Sequence, residues 1–410
     1  MSRDILERLR RLDHDDALKR HRDKFLMPEN TTYLDGNSLG CLSHSARQNA
    51  DRAIAHEWGK SLIGGWLEGW FDLPVNVGDR IGRLIGAAPG QTIASDSTSI
   101  NLYKTLSAAL SLRPTRNVIL TDKGNFPTDV YIIESIARQL GCKTRIVASN
   151  ALGDHIDDEV AVIAVSHIDY KTSAIYDMEA LTAAAHSKGA LALWDLAHTA
   201  GAVPCELDRW NVDFAVGCGY KYLNGGPGAP AFLYAAKRHQ QTSEQPLQGW
   251  FGHRAPFDFA DSYLPASDIR RFQCGTPSVI GLAALNGALD AFDDVEIGQL
   301  FNKSQAMVRE FILLFDEYLA PFGFELTSER FLKKCGSHVS LSHDNAYQIM
   351  RALNDRRVIG DFRAPNVLRF GFSPLYNRFE EIGYLVLNIC EIMNNSSWKN
   401  EKYKEKLYVT

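Results

Sequence analysis

Lys221 is the residue of this sequence whose surroundings best suit covalent chemistry. It follows the apolar run 212–216, stands beside Tyr220 and leads into the glycine-rich segment 225–228. Burial lowers the pKa of a lysine and makes its amine available as a nucleophile toward an aldehyde. The alternative is a lysine that lays its stem on apolar surface and keeps its charge in water.

A carboxylate and an imidazole precede this lysine, at the end of another apolar run. Leu191–Trp194 leads directly into Asp195, and His198 follows. Open α/β sheets bind ligands at the carboxyl ends of their strands. A carboxylate placed there can pair with a protonated pyridine nitrogen, as an electron-sink cofactor requires. Two alternatives remain: Asp195 caps a helix, or Asp195 and His198 bind a metal, although no third ligand stands at a useful spacing.

Hydroxyl side chains at a predicted helix start are candidates for binding a phosphate. Thr98 and Ser99 precede the segment 100–110, whose apolar residues recur at helical spacing. Backbone N–H groups at a helix start bind anions, and hydroxyl groups add further donors. A plain helix N-cap is the alternative explanation of the same residues.

Two further turns carry the same ambiguity. Phe126 and Asp129 follow a strand predicted at 117–121, so Phe126 could stack on a pyridine ring and Asp129 could bond near its nitrogen. Alternatively, Asp129 caps the next helix and Phe126 packs against it. Thr276 before Pro277 is typical of a helix start, with Thr276 as the N-cap.

The segments around these residues alternate between apolar strands and amphipathic helices, up to about residue 280. This alternation predicts an α/β fold with a mostly parallel sheet and helices on both faces. Beyond Pro277, a long helical stretch at 277–320 precedes shorter strands and helices, which indicates a smaller α+β domain. Strands are predicted at 117–121, 144–148, 160–165, 190–194, 212–216, 338–342 and 367–372, and helices at 1–30, 100–110, 129–140, 177–188, 344–354 and 378–394.

Three domain segments follow from this pattern. We expect an N-terminal arm at 1–45 that packs with the small domain, a large cofactor-binding domain at 46–284 and a small C-terminal domain at 285–410. These boundaries are placed where the character of the pattern changes.

Composition excludes several other classes of protein. The chain has 410 residues, of which 45% are apolar, and a net charge of -5, so it has no basic surface for nucleic acid. No apolar run reaches the roughly 18 residues of a membrane span. Its seven cysteines include no CxxC pair, so we expect reduced thiols in a cytoplasm, with neither a disulfide framework nor a metal site.

Eight stretches occur in one order along nearly the whole chain. They are YLDGNSLG (33–40), DSTSINLYKTL (96–106), NFPTD (125–129), DLAHTAG (195–201), VDFAVGCGYKYLNGGPG (212–228), LQGWFGH (247–253), GTPSVIGLAAL (275–285) and VLRFGFSPLYN (367–377). Each stretch alone is a weak signal, but together they resemble kynureninase of the bacterial type. That family has the PLP-transferase fold type I of the aspartate-aminotransferase superfamily.

The resemblance implies pyridoxal 5'-phosphate (PLP) as the cofactor and a role for each matching residue. Lys221 would form a Schiff base with PLP, and Asp195 would pair with the ring nitrogen. Further cofactor contacts would come from Thr98, Ser99, Phe126, Asp129, Ser166, His198 and Tyr220, with Trp250 and Thr276 reaching the phosphate across a homodimer interface.

The resemblance also implies the substrate contacts. Arg369 would clamp the α-carboxylate of the substrate through two parallel hydrogen bonds. Ser38 and Trp66 would lie on the substrate side, and Trp66 with Thr276 would favour kynurenine over its 3-hydroxy form. The alternatives are that Trp66 is a surface aromatic in a glycine-rich loop and that Ser38 is only a loop hydroxyl.

The activity implied is hydrolysis of L-kynurenine to anthranilate and L-alanine, in tryptophan catabolism. Lys221 would remove the α-proton and Tyr220 would act as an acid or proton relay. One alternative is a cysteine desulfurase or selenocysteine lyase, which needs a reactive cysteine, and Cys335 is the candidate. The other alternative is a PLP-binding protein without catalysis.

Overall fold

The computed structural model describes residues 2–407, which form two compact units. The smaller unit comprises residues 2–44, 171–175 and 291–407, and the larger unit comprises residues 45–170 and 176–290. The domain boundaries that we place at 45 and 284 stay predictions, and the outermost ends of those segments, residues 1 and 408–410, lie outside the described residues.

Strands and helices alternate along most of the larger unit. The strands in chain order are β1 (Thr32–Tyr33), β2 (Thr92–Ala94), β3 (Val118–Asp122), β4 (Lys143–Val147), β5 (Val160–Ser166), β6 (Leu191–Asp195), β7 (Phe214–Gly217), β8 (Phe232–Ala235), β9 (Glu325–Leu326), β10 (His338–Ser342), β11 (Val358–Ile359), β12 (Asp361–Arg363) and β13 (Val367–Gly371). The α-helices are α1 (Ser2–Asp15), α2 (His44–Arg52), α3 (Leu73–Leu84), α4 (Thr98–Ser111), α5 (Pro127–Leu140), α6 (Met178–Ser187), α7 (Lys237–Gln240), α8 (Val279–Leu289), α9 (Ile297–Leu314), α10 (Ala346–Asp355) and α11 (Phe379–Asn394).

The larger unit is built on a seven-stranded sheet in the order β2-β8-β7-β6-β5-β3-β4. β8 runs antiparallel to both of its neighbours, and the other adjacent pairs are parallel. β3, β6 and β7 are buried along their whole length, so both faces of the sheet are covered. The predicted α/β fold with a mostly parallel sheet is therefore confirmed.

Helix α4 is fixed against this sheet by its apolar stripe. Leu102, Leu106 and Leu110, spaced one helical turn apart, belong to the same buried cluster as Leu193 of β6 and Phe214 of β7. Removing such side chains from water stabilises the fold by about 25 cal/mol per Å² of apolar surface. This packing gives the first turn of α4 a rigid support.

The smaller unit contains two sheets and four helices. A four-stranded antiparallel sheet has the order β12-β13-β10-β9, and β1 pairs with β11 in parallel. Helix α11 packs against α1 and α9. This arrangement confirms the predicted α+β character of the second part of the chain.

Two predicted helices are shorter than the sequence indicated. The segment 1–30 is α-helical only to Asp15, because the carboxylate of Asp13 accepts hydrogen bonds from the backbone of Phe379 and Glu380 at 2.6 and 2.9 Å and so caps α11. The stretch 277–320 is interrupted between α8 and α9 by a short 3₁₀ turn and an extended link. In residues 2–407 none of the helices combines the length and apolar character that crossing a bilayer requires.

Candidate active site

A cavity of about 150 Å³ in the larger unit lies where β5 and β6 end. It gathers nine of the residues that the sequence singled out, together with four that it did not. The lining residues are Thr98, Ser99, Phe126, Thr128, Asp129, Ser166, Ile168, Tyr170, Asp195, Ala197, His198, Tyr220 and Lys221.

Lys221 is held by a tight loop that follows β7. The backbone N–H of Gly225 donates to the carbonyl of Gly219 at 2.8 Å, which closes the loop around the lysine. A Cβ on Gly219 would lie 2.3 Å from the carbonyl oxygen of Pro230, so a larger residue would force the backbone to move. The glycines beside the lysine therefore have a structural reason, which is the close approach of two backbone segments.

The amine of Lys221 faces an imidazole and two aromatic rings. Its Nζ lies 3.1 Å from Nε2 of His198, 5.8 Å from the ring centroid of Phe126 and 5.9 Å from that of Tyr220. His198 is thus directed at the lysine. Within residues 2–407 no three His, Cys, Asp or Glu side chains gather in a group that could hold a metal ion.

Asp195 and Asp129 form a buried carboxyl pair. Burial raises the pKa of Asp195, and the Lys221 charge opposes that rise. Burial raises the pKa of Asp129 well above its usual range, and the neighbouring Asp195 raises it further. Asp129 therefore carries the proton of the pair and donates it in a hydrogen bond, which leaves Asp195 as the ionised acceptor. This carboxylate also accepts from the backbone N–H of Ala197 at 2.8 Å.

Asp129 does not cap the following helix. Helix α5 begins at Pro127 with Phe126 as its N-cap residue and without a side-chain cap. The alternative of a capping aspartate is therefore wrong. The side chain of Phe126 is 38% exposed, and its ring meets that of Tyr170 edge-on at 5.2 Å between centroids.

The start of α4 separates a capping residue from two cavity residues. Ser97 is the N-cap, and its Oγ accepts from the backbone N–H of Ile100 at 3.4 Å. Thr98 and Ser99 are the first helical residues and line the cavity. The buried amine of Lys104 donates to Asp96 at 2.7 Å and so anchors the turn that leads into the helix.

Asn125 organises the site, although the sequence gave it no role beyond its place in a motif. Its Oδ1 accepts from Ser166 Oγ at 2.7 Å and from the backbone N–H of Phe126 at 2.8 Å. Its Nδ2 donates to Thr121 Oγ1 at 3.0 Å and to the carbonyl of Ala164 at 3.3 Å. One buried amide therefore fixes both Phe126 and Ser166 at the cavity wall.

Trp66 and Trp250 lie outside the lining of this cavity and contact each other. Their ring centroids are 6.1 Å apart, and Trp66 also meets Phe251 at 5.6 Å. Trp66 is half-buried in this aromatic cluster, so it is not an isolated surface aromatic. Thr276 is exposed, and α8 begins only at Val279, so the alternative of Thr276 as the helix N-cap is wrong.

Arg369 and Ser38 belong to the smaller unit, where they share one aspartate. Arg369, only 2% exposed, binds both carboxylate oxygens of Asp361 through Nε and Nη2. Ser38 Oγ donates to Asp361 Oδ2 and accepts from Arg369 Nη2 at 3.2 Å. Ser38 is therefore more than a loop hydroxyl, and neither Asp361 nor this pairing was visible in the sequence.

The donor set of the cavity fits PLP. An amine suits its aldehyde, an ionised carboxylate suits a protonated ring nitrogen, and hydroxyls at a helix start suit its phosphate. Lys221, Asp195 and Thr98 supply these three groups around a single cavity, and the exposed ring of Phe126 adds an apolar face.

Comparison with known proteins first defines the class. The family model described as aminotransferase class-V matches residues 79–318, more than half of the chain. A cysteine desulfurase from Thermococcus onnurineus NA1 has a TM-score of 0.78 at 18% identity, covering 92% of this chain and 98% of its own. A second cysteine desulfurase, from Escherichia coli, has a TM-score of 0.77 at the same identity and coverage. These structures share the fold, which is that of the fold-type-I PLP enzymes of aminotransferase class V.

Two closer relatives and a second family model define the family. The kynureninase of Pseudomonas fluorescens is 44% identical over 407 residues, and that of Burkholderia pseudomallei (strain 1106a) is 42% identical over the same length. Both alignments cover 97% of this chain and 98% of the relative. The model described as kynureninase C-terminal domain matches residues 300–389. The chain belongs to the kynureninase family, and its cofactor is PLP.

Proposed function

We propose that this enzyme hydrolyses the Cβ–Cγ bond of L-kynurenine and releases anthranilate and L-alanine. The observation that carries the proposal is the cavity in which the Lys221 amine and the Asp195 carboxylate meet, in a chain that aligns with kynureninases over 97% of its length. The proposed setting is tryptophan catabolism in the cytoplasm.

Five residues of the cavity hold PLP in this proposal. Thr98 and Ser99 bind its phosphate, Phe126 covers its ring, and Asp195, supported by Asp129, pairs with the ring nitrogen. When bound, PLP supplies an aldehyde that bonds to amines and a protonated ring that takes up electrons. The ionised state of Asp195 keeps that ring nitrogen protonated, because the charged pair is favoured in a buried site.

Lys221 moves the protons of the reaction. Its Nζ takes the proton from Cα of the substrate and returns it as the reaction proceeds. His198, at 3.1 Å from the same nitrogen, orients the amine between these steps. The hydroxyl of Tyr220, which lines the same cavity, is the acid that protonates the β-carbon after the bond to the aryl ketone breaks.

Substrate recognition is assigned to residues of both units. Arg369 and Ser38 bind the α-carboxylate, because a guanidinium fork matches a carboxylate with two parallel hydrogen bonds. Trp66 and Thr276 contact the aryl side and favour kynurenine over 3-hydroxykynurenine. Trp250 and Thr276 also reach the phosphate of a second subunit in a homodimer with shared sites.

Desulfurase chemistry is not favoured by the state of the candidate cysteine. Cys335 is fully buried, and burial raises the pKa of its thiol to about 11. A desulfurase nucleophile must be an accessible thiolate. The likeness to cysteine desulfurases is therefore one of fold.

A single assay separates the proposed function from its alternatives. The purified chain, loaded with PLP, is mixed with L-kynurenine while anthranilate fluorescence is followed, and in parallel with L-cysteine while sulfide is measured. We expect anthranilate release and no sulfide. Lys221→Ala abolishes the signal, whereas Lys123→Ala, at an exposed lysine of the same unit, leaves it unchanged. Sulfide release, or no reaction with kynurenine, contradicts the proposal.

A further inference from the structure

Arg369 is held in one orientation by a residue directly across the sheet. Asp361 on β12 pairs in register with Arg369 on β13, and the two side chains meet on the same face. The distance from Arg369 Nε to Asp361 Oδ1 is 2.9 Å, and Nη2 binds the other oxygen. Because both residues are buried and the contact has two parallel bonds, the plane of the guanidinium is fixed.

Two more side chains bind the same carboxylate. Arg363 Nη2 lies 2.8 Å from Asp361 Oδ2 and 3.4 Å from Ser38 Oγ. The charges of Arg369 and Arg363 outweigh the burial of Asp361 and keep its pKa below the usual range, so Asp361 is ionised. Two guanidinium groups and one carboxylate leave this cluster with one net positive charge.

Asp35 is the fourth charged group of the cluster and decides whether that net charge persists. Burial, with the nearby Asp361, raises the pKa of Asp35 to about 8, so Asp35 is neutral at pH 7. Its Oδ1 is buried and has no hydrogen-bond partner within residues 2–407, as suits a protonated carboxyl. The titratable groups that face it are Asp361 and Arg363 from β12, Arg369 from β13 and Tyr33 from β1.

We propose that Asp361 and Asp35 are positioning residues of a carboxylate-binding site centred on Arg369. Asp361 fixes the direction of the guanidinium, and the proton on Asp35 preserves the single positive charge that attracts an anion. The inference rests on the proposed function, in which substrate and product are α-amino carboxylates. It goes further by naming two residues that act through Arg369, and by making the charge of the site depend on pH.

The arrangement explains why two arginines surround one aspartate. A buried arginine without a partner is unfavourable, but a single Arg–Asp pair is neutral and has no charge left for a ligand. Arg363 restores the positive charge while the Arg369 fork stays oriented. When Asp35 loses its proton, the cluster becomes neutral, so binding of a carboxylate weakens as the pH rises through about 8.

The test measures binding of L-alanine, the proposed product, to the PLP-loaded protein by calorimetry, and binding of PLP to the apoprotein by absorbance. Asp361→Asn keeps the shape of the side chain but removes its charge. We expect it to weaken L-alanine binding at least about tenfold, while PLP binding stays within about twofold of the parent protein, because a charge-assisted pair is lost only at the carboxylate site. Arg369→Ala serves as the positive control.

Asp316→Asn is the matched control for a broken Arg–Asp pair. Asp316 binds Arg330 through two bonds of 2.8 and 3.0 Å in the same unit, but both side chains are exposed. We expect this variant to bind L-alanine like the parent. A loss equal to that of Asp361→Asn would show that the effect is a general one on the unit and would overturn the proposal.

Asp35→Asn provides an independent test, because it imitates the protonated state. The parent protein should lose affinity for L-alanine between about pH 7 and about pH 9, whereas Asp35→Asn should bind equally well across this range. A parallel decline in both proteins, or unchanged alanine binding in Asp361→Asn, overturns the inference. Alanine binding that follows these expectations in a protein without kynurenine hydrolysis would refute the proposed function alone.

Discussion

Replacing Asn125 by alanine tests how the cavity wall is held together. The side chain of Asn125 is buried and makes four hydrogen bonds, two as acceptor and two as donor. Each such bond contributes about 1 kcal/mol to stability, and partners that lose it while buried remain desolvated, so the loss is roughly 4 kcal/mol. The same change frees Phe126 and Ser166, so we also expect weaker PLP binding.

Two measurements on the Asn125→Ala protein check this expectation. Urea unfolding of the apoprotein gives the change in the free energy of unfolding, and an absorbance titration gives the affinity for PLP. Asn150→Ala is the control, because Asn150 is an exposed asparagine of the same unit. A loss of less than about 1 kcal/mol with unchanged PLP affinity would refute the reasoning, since a single ordinary hydrogen bond accounts for that much.

Two further predictions concern titratable groups of the smaller unit. The pKa of Asp35 is raised to about 8 in the folded chain, so the folded state holds a proton that the unfolded state releases near pH 4. The free energy of unfolding should therefore fall relative to that of Asp35→Asn as the pH rises from about 4 to about 8, by at most about 1.4 kcal/mol per unit, and a pH series of urea titrations that shows no difference contradicts this. Cys335 should react with an alkylating reagent far more slowly than the half-buried Cys142, and Cys335→Ser should keep full turnover with kynurenine; mass spectrometry of timed samples and the fluorescence assay check the two statements.

The parallel part of the sheet is predictable because its strands are buried on both faces. Such strands are continuous apolar runs, as in β5 and β6, and the bounds expected for them differ from those observed by a residue or so. Strands β2 and β8 escaped prediction. β2 has only three residues, and the antiparallel direction of β8 depends on pairing with β7, which no local pattern records.

Helix ends were harder to predict because tertiary contacts set them. The charged segment at the N-terminus has helical character beyond Asp15, but Asp13 is engaged in capping α11, far along the chain. The break between α8 and α9 is followed by a capping box of Glu296 and Gln299, which starts a new helix where the sequence pattern had predicted a continuous one.

The candidate site was predictable where each residue directly follows an apolar strand. Asp195 ends β6 and Lys221 follows β7, so the parallel sheet brings both to one edge. Asp361 could not be found in this way, because its pairing with Arg369 depends on the register of two antiparallel strands. The role of Asn125 depends on distances between three segments, which spacing along the chain does not reveal.

The identity of the lysine that bonds to PLP is the most direct test of the whole account. Borohydride reduction of the PLP-loaded protein makes that bond permanent, and peptide mapping by mass spectrometry then locates it. We predict that the label is on Lys221, in the peptide that contains Tyr220. A label on another lysine, such as the buried Lys104, or no label at all, would contradict the assignment of the site.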